Sequence, residues 1–173
     1  MGRDNRADQL IAEIRPLAAH DDAGGALQRI CMLLRERVEH YDWVGYYLAV
    51  PGERTLVLGP FEGAPTEHLR IPYGTGVCGR AAETGSALVI PDVRAESNYL
   101  ACSLETRAEI VLPVFHDGLL VGELDIDSHR PDPFTDFDER LLEEVVAMTA
   151  ELVAGLSEEL RTTVRAAGPD RGA

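Results

Sequence analysis

Apolar residues recur along the first forty positions with the period of a helix. Leu27, Ile30, Cys31, Leu34 and Val38 make one stripe, so helices are predicted over residues 6–20 and roughly 24–40. From Trp43 the period changes to that of strands. "WVGYYLAV" is aromatic and β-branched, "PGER" supplies turn residues, and "TLVLGPF" resumes as a second strand. "EHLRIP" reads as a third strand, "YGTGVCGRAAETG" as a glycine-bearing turn leading into a short helix, and "SALVIPDV" as a fourth strand. Residues 94–108 then form a long connection, of the kind that often carries function. "EIVLPVF" and "LLVGELDID" flank "HDG", a hairpin signal. The last helix begins near "PDPFTDFDERLLEEVV", with Thr135 at the N-cap and a stripe of Leu141, Leu142, Val145, Val146, Met148 and Leu152.

Terminal helices around about six antiparallel strands predict an α+β domain. It is expected to occupy residues 1–162, with 163–173 as a disordered tail. Pro113 cannot donate to a ladder, which predicts an edge or a bulge at that point.

Charge narrows the function classes. The net charge of −14 repels phosphate backbones and argues against nucleic-acid binding. No apolar run approaches a membrane span, and "MGRDNRADQL" has no signal-peptide core, so a cytoplasmic protein is expected. The three cysteines, Cys31, Cys78 and Cys102, do not form a secreted disulfide framework, and no Cys/His cluster has zinc spacing. Neither a bound cofactor nor a metal is therefore expected. Cys31 falls in a helical stripe and reads as a core thiol.

Strand alternation puts Glu123, Asp125 and Asp127 on one face, with successive Cα atoms about 6–7 Å apart. If His116–Asp117–Gly118 is a three-residue loop, Phe115 pairs with Leu119 and Glu109 falls opposite Asp125, joining the set. A two-residue loop would turn Glu109 to the other face. The acidic face has three readings: a solvated surface with Arg107 opposite Asp127, a cradle for an ammonium group, or a seat for a divalent cation. Cys78, near a helix start, and Cys102, in the long connection, read either as unpaired small hydrophobes or as a reversible redox pair. Trp43 and Tyr47 share one face of the first strand, as a core pair or as a wall for a methyl or thioether group.

Between about Tyr41 and Leu152 the chain resembles a GAF domain, and more specifically the free methionine-(R)-sulfoxide reductase family. The resemblance is carried by "DWVGYYL", "LVLGPFEG", "RIPYGTGVCGRAAETG", "IPDV", "YLACS", "AEIVLPV", "LVGELDIDS" and "FTDFDERLLEE", in this order. It implies a GAF-like central sheet and reduction of the free amino acid. Cys102 would be the catalytic thiolate and Cys78 the resolving thiol. Glu109, Asp125 and Asp127 would bind the substrate ammonium, and Trp43 and Tyr47 would wall its methyl group. A sulfenic acid on Cys102 would condense to a disulfide, recycled by thioredoxin. Two positions depart from the family pattern: His68 stands where many members carry a third cysteine, and Ser103 where aspartate is common. The resemblance also leaves open a homodimer through the terminal helices. The alternative function is a GAF sensor that binds an amino-acid-like ligand without turnover.

Overall fold

The computed structural model of the chain describes residues 2–97 and 104–167, with side chains described over 5–97 and 104–161. The elements run α1 (Gly2–Ala18), α2 (Ala23–Arg37), β1 (Trp43–Ala49), β2 (Thr55–Glu62), β3 (Arg70–Pro72), α3 (Gly76–Thr84), β4 (Leu88–Ile90), β5 (Ala108–His116), β6 (Leu119–Ser128) and α4 (Asp136–Ala167). A short 3₁₀ turn, Val93–Ala95, follows β4. All six predicted strands join one antiparallel sheet in the order β3-β2-β1-β6-β5-β4. No helix among the described residues is long and apolar enough to cross a membrane.

Alternation along the central strands sorts their side chains into two layers. Val44, Tyr46 and Leu48 of β1, Ile110 and Leu112 of β5, and Leu124 and Ile126 of β6 face α2 and α4. There they pack against Leu27, Ile30, Leu34, Leu141 and Val145. The intervening positions face α3, where Trp43, Tyr47 and Val111 meet Val77, Cys78 and Ala81. The start of α4 is pinned to the end of α2. Asp138 Oδ2 accepts from the Thr135 backbone N–H at 2.7 Å, a reciprocal cap around the predicted N-cap residue, while Asp138 Oδ1 lies 2.7 Å from His40 Nε2. At its other end α4 continues past residue 162 to Ala167, because Arg165, Ala166 and Ala167 are good helix formers. The sequence stop signal comes only with Gly168-Pro169.

The β5–β6 hairpin is built differently from expectation. Its loop is the two-residue Asp117-Gly118, with φ of 50° and 76°, and His116 pairs with Leu119. Two successive left-handed residues are the signature of a type I′ turn, which matches strand twist better than the three-residue loop. That turn alone would put Glu109 opposite Ile126. A β-bulge intervenes: Phe115 pairs with Leu120 but Val114 pairs with Gly122, leaving Val121 as the extra residue. The bulge restores parity, so Glu109 pairs with Asp127 and Val111 with Asp125. Glu109 reaches the predicted face through a different partner. Pro113 sits beside the bulge, on a stretch of β5 that β4 leaves uncovered, since β4 pairs only with residues 109–111.

Candidate active site

The second face of the sheet is floored with acid. Glu123, Asp125 and Asp127 alternate along β6, opposite Tyr47, Gly45 and Trp43 of β1, and Glu109 stands beside Asp127 on β5. Their exposures are 0% for Glu123 and Asp125, 1% for Asp127 and 2% for Glu109. The solvated-surface reading is therefore wrong: α3 and the aromatic residues cover this face. Arg107 does not offset it either. Its backbone N–H bonds Ser128 O, and its guanidinium turns to Asp92 at 3.1 Å.

Burying carboxyl groups together favours their neutral forms. Burial, then the charges of Asp125 and Asp127, push the Glu109 carboxyl well above the usual range. Burial does the same to Glu123, and the Asp125 charge adds to it. Asp125 itself is pushed up to about 7 by burial, with the Cys78 thiol pulling the other way. Glu109 Oε2, Asp125 Oδ1 and both Glu123 carboxyl oxygens have no hydrogen-bond partner among the described residues. Buried polar groups left in this state call for a partner that the described residues do not supply. A cation with several donors suits them, because it replaces the bound protons with charge-assisted hydrogen bonds.

Above the floor lie a thiol and an aromatic wall. Cys78, in the first turn of α3, points its Sγ at Asp125 Oδ2 (3.3 Å) and Glu109 Oε1 (3.6 Å). Trp43 stacks on Tyr47 with ring centroids 6.3 Å apart, and on Phe61 at 5.4 Å. The rings are fixed at their polar ends: Trp43 Nε1 donates to Ala64 O at 3.1 Å and Tyr47 OH to His68 O at 3.0 Å. Gly45 makes the stack possible, since a Cβ there would lie 2.3 Å from the Trp43 ring.

Of the residues singled out in the sequence, Cys78, Glu109, Asp125, Asp127, Trp43 and Tyr47 share this face. Cys102 lies outside the described residues. The described residues resume at Leu104, and Thr106 donates to Asp127 Oδ2 at 3.4 Å. Two further residues belong to the site. Glu123 was already on the acidic face by alternation, and its complete burial places it in the floor. Phe61 was hidden because the β1–β2 register shifts between Gly45 and Tyr47, which breaks the alternation that would have revealed it. Cys31 lies in the helix-facing layer, 3.6 Å from Pro60 O, where burial drives its thiol far up; it is the core thiol expected.

Comparison with known proteins fits this geometry. A family model for the GAF domain matches residues 4–153. The free methionine-R-sulfoxide reductase of Escherichia coli (strain K12) is 41% identical over 122 residues, covering 70% of this chain and 72% of that protein. The structure of free methionine-R-sulfoxide reductase from Neisseria meningitidis in complex with its substrate is similar, at 32% identity and a TM-score of 0.75, covering 91% of each chain. A putative GAF sensor protein from Burkholderia vietnamiensis is similar too, with 31% identity and a TM-score of 0.80 over 90% of this chain and 99% of that one.

Proposed function

The chain belongs to the GAF domain family and, within it, to the free methionine-R-sulfoxide reductases; from that premise we propose that it reduces free L-methionine-(R)-S-oxide to L-methionine through a cysteine thiolate. The observation that carries this reading is the buried carboxylate floor of Glu109, Glu123, Asp125 and Asp127, facing Trp43 and Tyr47. A free amino acid brings the ammonium group that such a floor lacks. A methionine residue inside a protein does not, because its nitrogen is an amide. With the ammonium held by Glu109, Asp125 and Asp127, the thioether end lies against the Trp43–Tyr47 wall, an apolar surface suited to a methyl group and sulfur.

The chemistry follows in three balanced steps. The Cys102 thiolate attacks the sulfoxide sulfur. With uptake of a proton the oxygen passes to Cys102, leaving a sulfenic acid and methionine; the sulfoxide gains two electrons and the cysteine loses two. The Cys78 thiol condenses with the sulfenic acid, forming a disulfide and releasing water. A thioredoxin dithiol then reduces that disulfide by exchange. With His68 where the family pattern often has a third cysteine, Cys78 resolves alone in this reading, the alternative being an external thiol. The last turns of α4 keep Leu152, Leu156 and Leu160 only partly buried, a row suited to a second copy and hence to a homodimer.

The similarity to a GAF sensor protein supports one rival, a module that binds the amino acid without turnover. The test is methionine formation from free L-methionine-(R)-S-oxide with thioredoxin and NADPH. Turnover by the wild-type chain that Cys102→Ser abolishes is the expected result. Ligand binding with no methionine formed would assign the chain to the sensors.

A further inference from the structure

Three residues that the reductase reading assigns to disulfide formation and ammonium binding also have the spacing of metal ligands. Cys78 Sγ is 3.3 Å from Asp125 Oδ2 and 3.6 Å from Glu109 Oε1, and one ligand atom from each of the three residues lies within 4.8 Å of the others. Zinc bonds a thiolate at about 2.3 Å and a carboxylate oxygen at about 2.0–2.2 Å, so a tetrahedral angle sets the S···O separation at about 3.6 Å. The Glu109 separation matches that value and the Asp125 separation lies slightly below it.

The single proton of the Cys78 thiol serves only one of the two short contacts, and each contact engages only one oxygen of its carboxyl. Glu109 Oε2 and Asp125 Oδ1 remain without a partner among the described residues, in side chains 2% and 0% exposed. The thiol and one oxygen of each carboxyl converge on one point, and each carboxyl keeps a second oxygen unmatched among the described residues.

We propose that Cys78, Glu109 and Asp125 form a reversible site for a zinc-class divalent cation, with a fourth position open to water. The ligand set selects the ion. A thiolate favours zinc and its congeners, whereas calcium and magnesium require more oxygen ligands than converge here. Binding involves no redox change: the Cys78 S–H proton and the carboxyl protons pass to solvent, and three deprotonated ligands hold the ion. Because the ion lies on the floor that takes the ammonium group, metal and substrate exclude each other. The site itself is defined by ligand geometry and stands apart from the reductase reading.

The test is titration of the full, reduced chain with cobalt(II), following thiolate-to-cobalt charge-transfer absorption, then displacement by zinc(II). A single cobalt per chain is expected, with the charge-transfer signal kept in Cys31→Ser and Cys102→Ser and lost in Cys78→Ser. Asp125→Asn, checked for native fold by circular dichroism, should weaken the cobalt affinity by about tenfold or more. If Cys78→Ser does not fold, Asp125→Asn and Cys102→Ser decide. No cobalt uptake, a signal that persists in Cys78→Ser or disappears in Cys102→Ser, or an unchanged affinity in Asp125→Asn would each overturn the proposal. None of these readouts requires turnover, so their failure differs from failure of the reductase reading.

Discussion

Along β6, Leu124 and Ile126 enter an apolar layer beneath α2 and α4, while their neighbours Glu123, Asp125 and Asp127 carry carboxyl groups into the opposite face. The residues on both sides are buried to a similar degree, so burial alone does not distinguish them. Chemistry does. On the helix side every contact lowers the free energy of the fold by removing hydrocarbon from water. On the other side the sheet carries a desolvation cost, met in part by protons held on the carboxyls and, in the proposed function, by the ammonium group of the substrate. The first face holds the chain together, and its stability is what allows the second face to stay unsatisfied.

Substitutions should therefore act in opposite directions on the two faces. The largest effect is expected on the helix side. Leu124→Ala leaves a cavity in a fully buried position and should cost about 2–5 kcal/mol of stability in urea denaturation, with substrate affinity of the folded fraction unchanged. Asp125→Asn should do the reverse. At pH 8 it should raise stability by roughly 1–3 kcal/mol, because a buried charge is replaced by a neutral isostere. Calorimetry on the same variant should show substrate affinity reduced about tenfold or more, from one lost charge-assisted contact.

Acidity gives the same contrast a second form. Asp125 holds its proton up to about pH 7 in the folded chain, against 3.8 as its ordinary value. Across that window the unfolded chain releases a proton that the native chain retains, so stability falls as pH rises. Binding of an ammonium group needs the ionised carboxylate and should strengthen over the same range. Thermal melts and substrate titrations at a series of pH values should slope in opposite directions. Parallel slopes would break the link between the unsatisfied floor and ligand binding.

The cysteines separate the two layers by chemistry. Cys78→Ser should block repeated turnover yet permit one stoichiometric reduction per chain, whereas Cys31→Ser should leave turnover intact, as measured by methionine formed in single- and multiple-turnover assays. The smallest effect is expected at Arg107. Its partner is the half-exposed Asp92 and not the acidic floor, so Arg107→Ala should cost about 0–1 kcal/mol and leave substrate affinity unchanged.

Much of this division was legible in the sequence because it rests on period. The helical stripe of α2, the alternation of β6 and the sharing of one face by Trp43 and Tyr47 all depend on spacing within a single element. What depended on irregularity was not. The Asp117-Gly118 turn and the bulge at Val121 each shift the register by one residue in the same direction, and the two-residue total restores the face. The face of Glu109 was thus right, while its partner was Asp127 and not Asp125. Phe61 was concealed by the register shift opposite Gly45 and Tyr47. Depth was also out of reach: alternation gives a carboxyl its face but not its cover, and the cover comes from α3, a distant part of the chain. Arg107 shows the same limit, since its reach toward Asp92 depends on where the 3₁₀ turn after β4 lies.

The central claim is that the buried floor recognises a free ammonium group. The direct measurement compares kcat/KM for free L-methionine-(R)-S-oxide with that for its N-acetyl derivative, which keeps the sulfoxide and removes the charge. A site built around buried polar groups rejects an analogue that leaves them unpaired by about 10⁴-fold. A loss approaching that size is predicted for the N-acetyl compound, shrinking sharply in Asp125→Asn. Comparable kcat/KM for the two compounds in the wild-type chain would contradict the account.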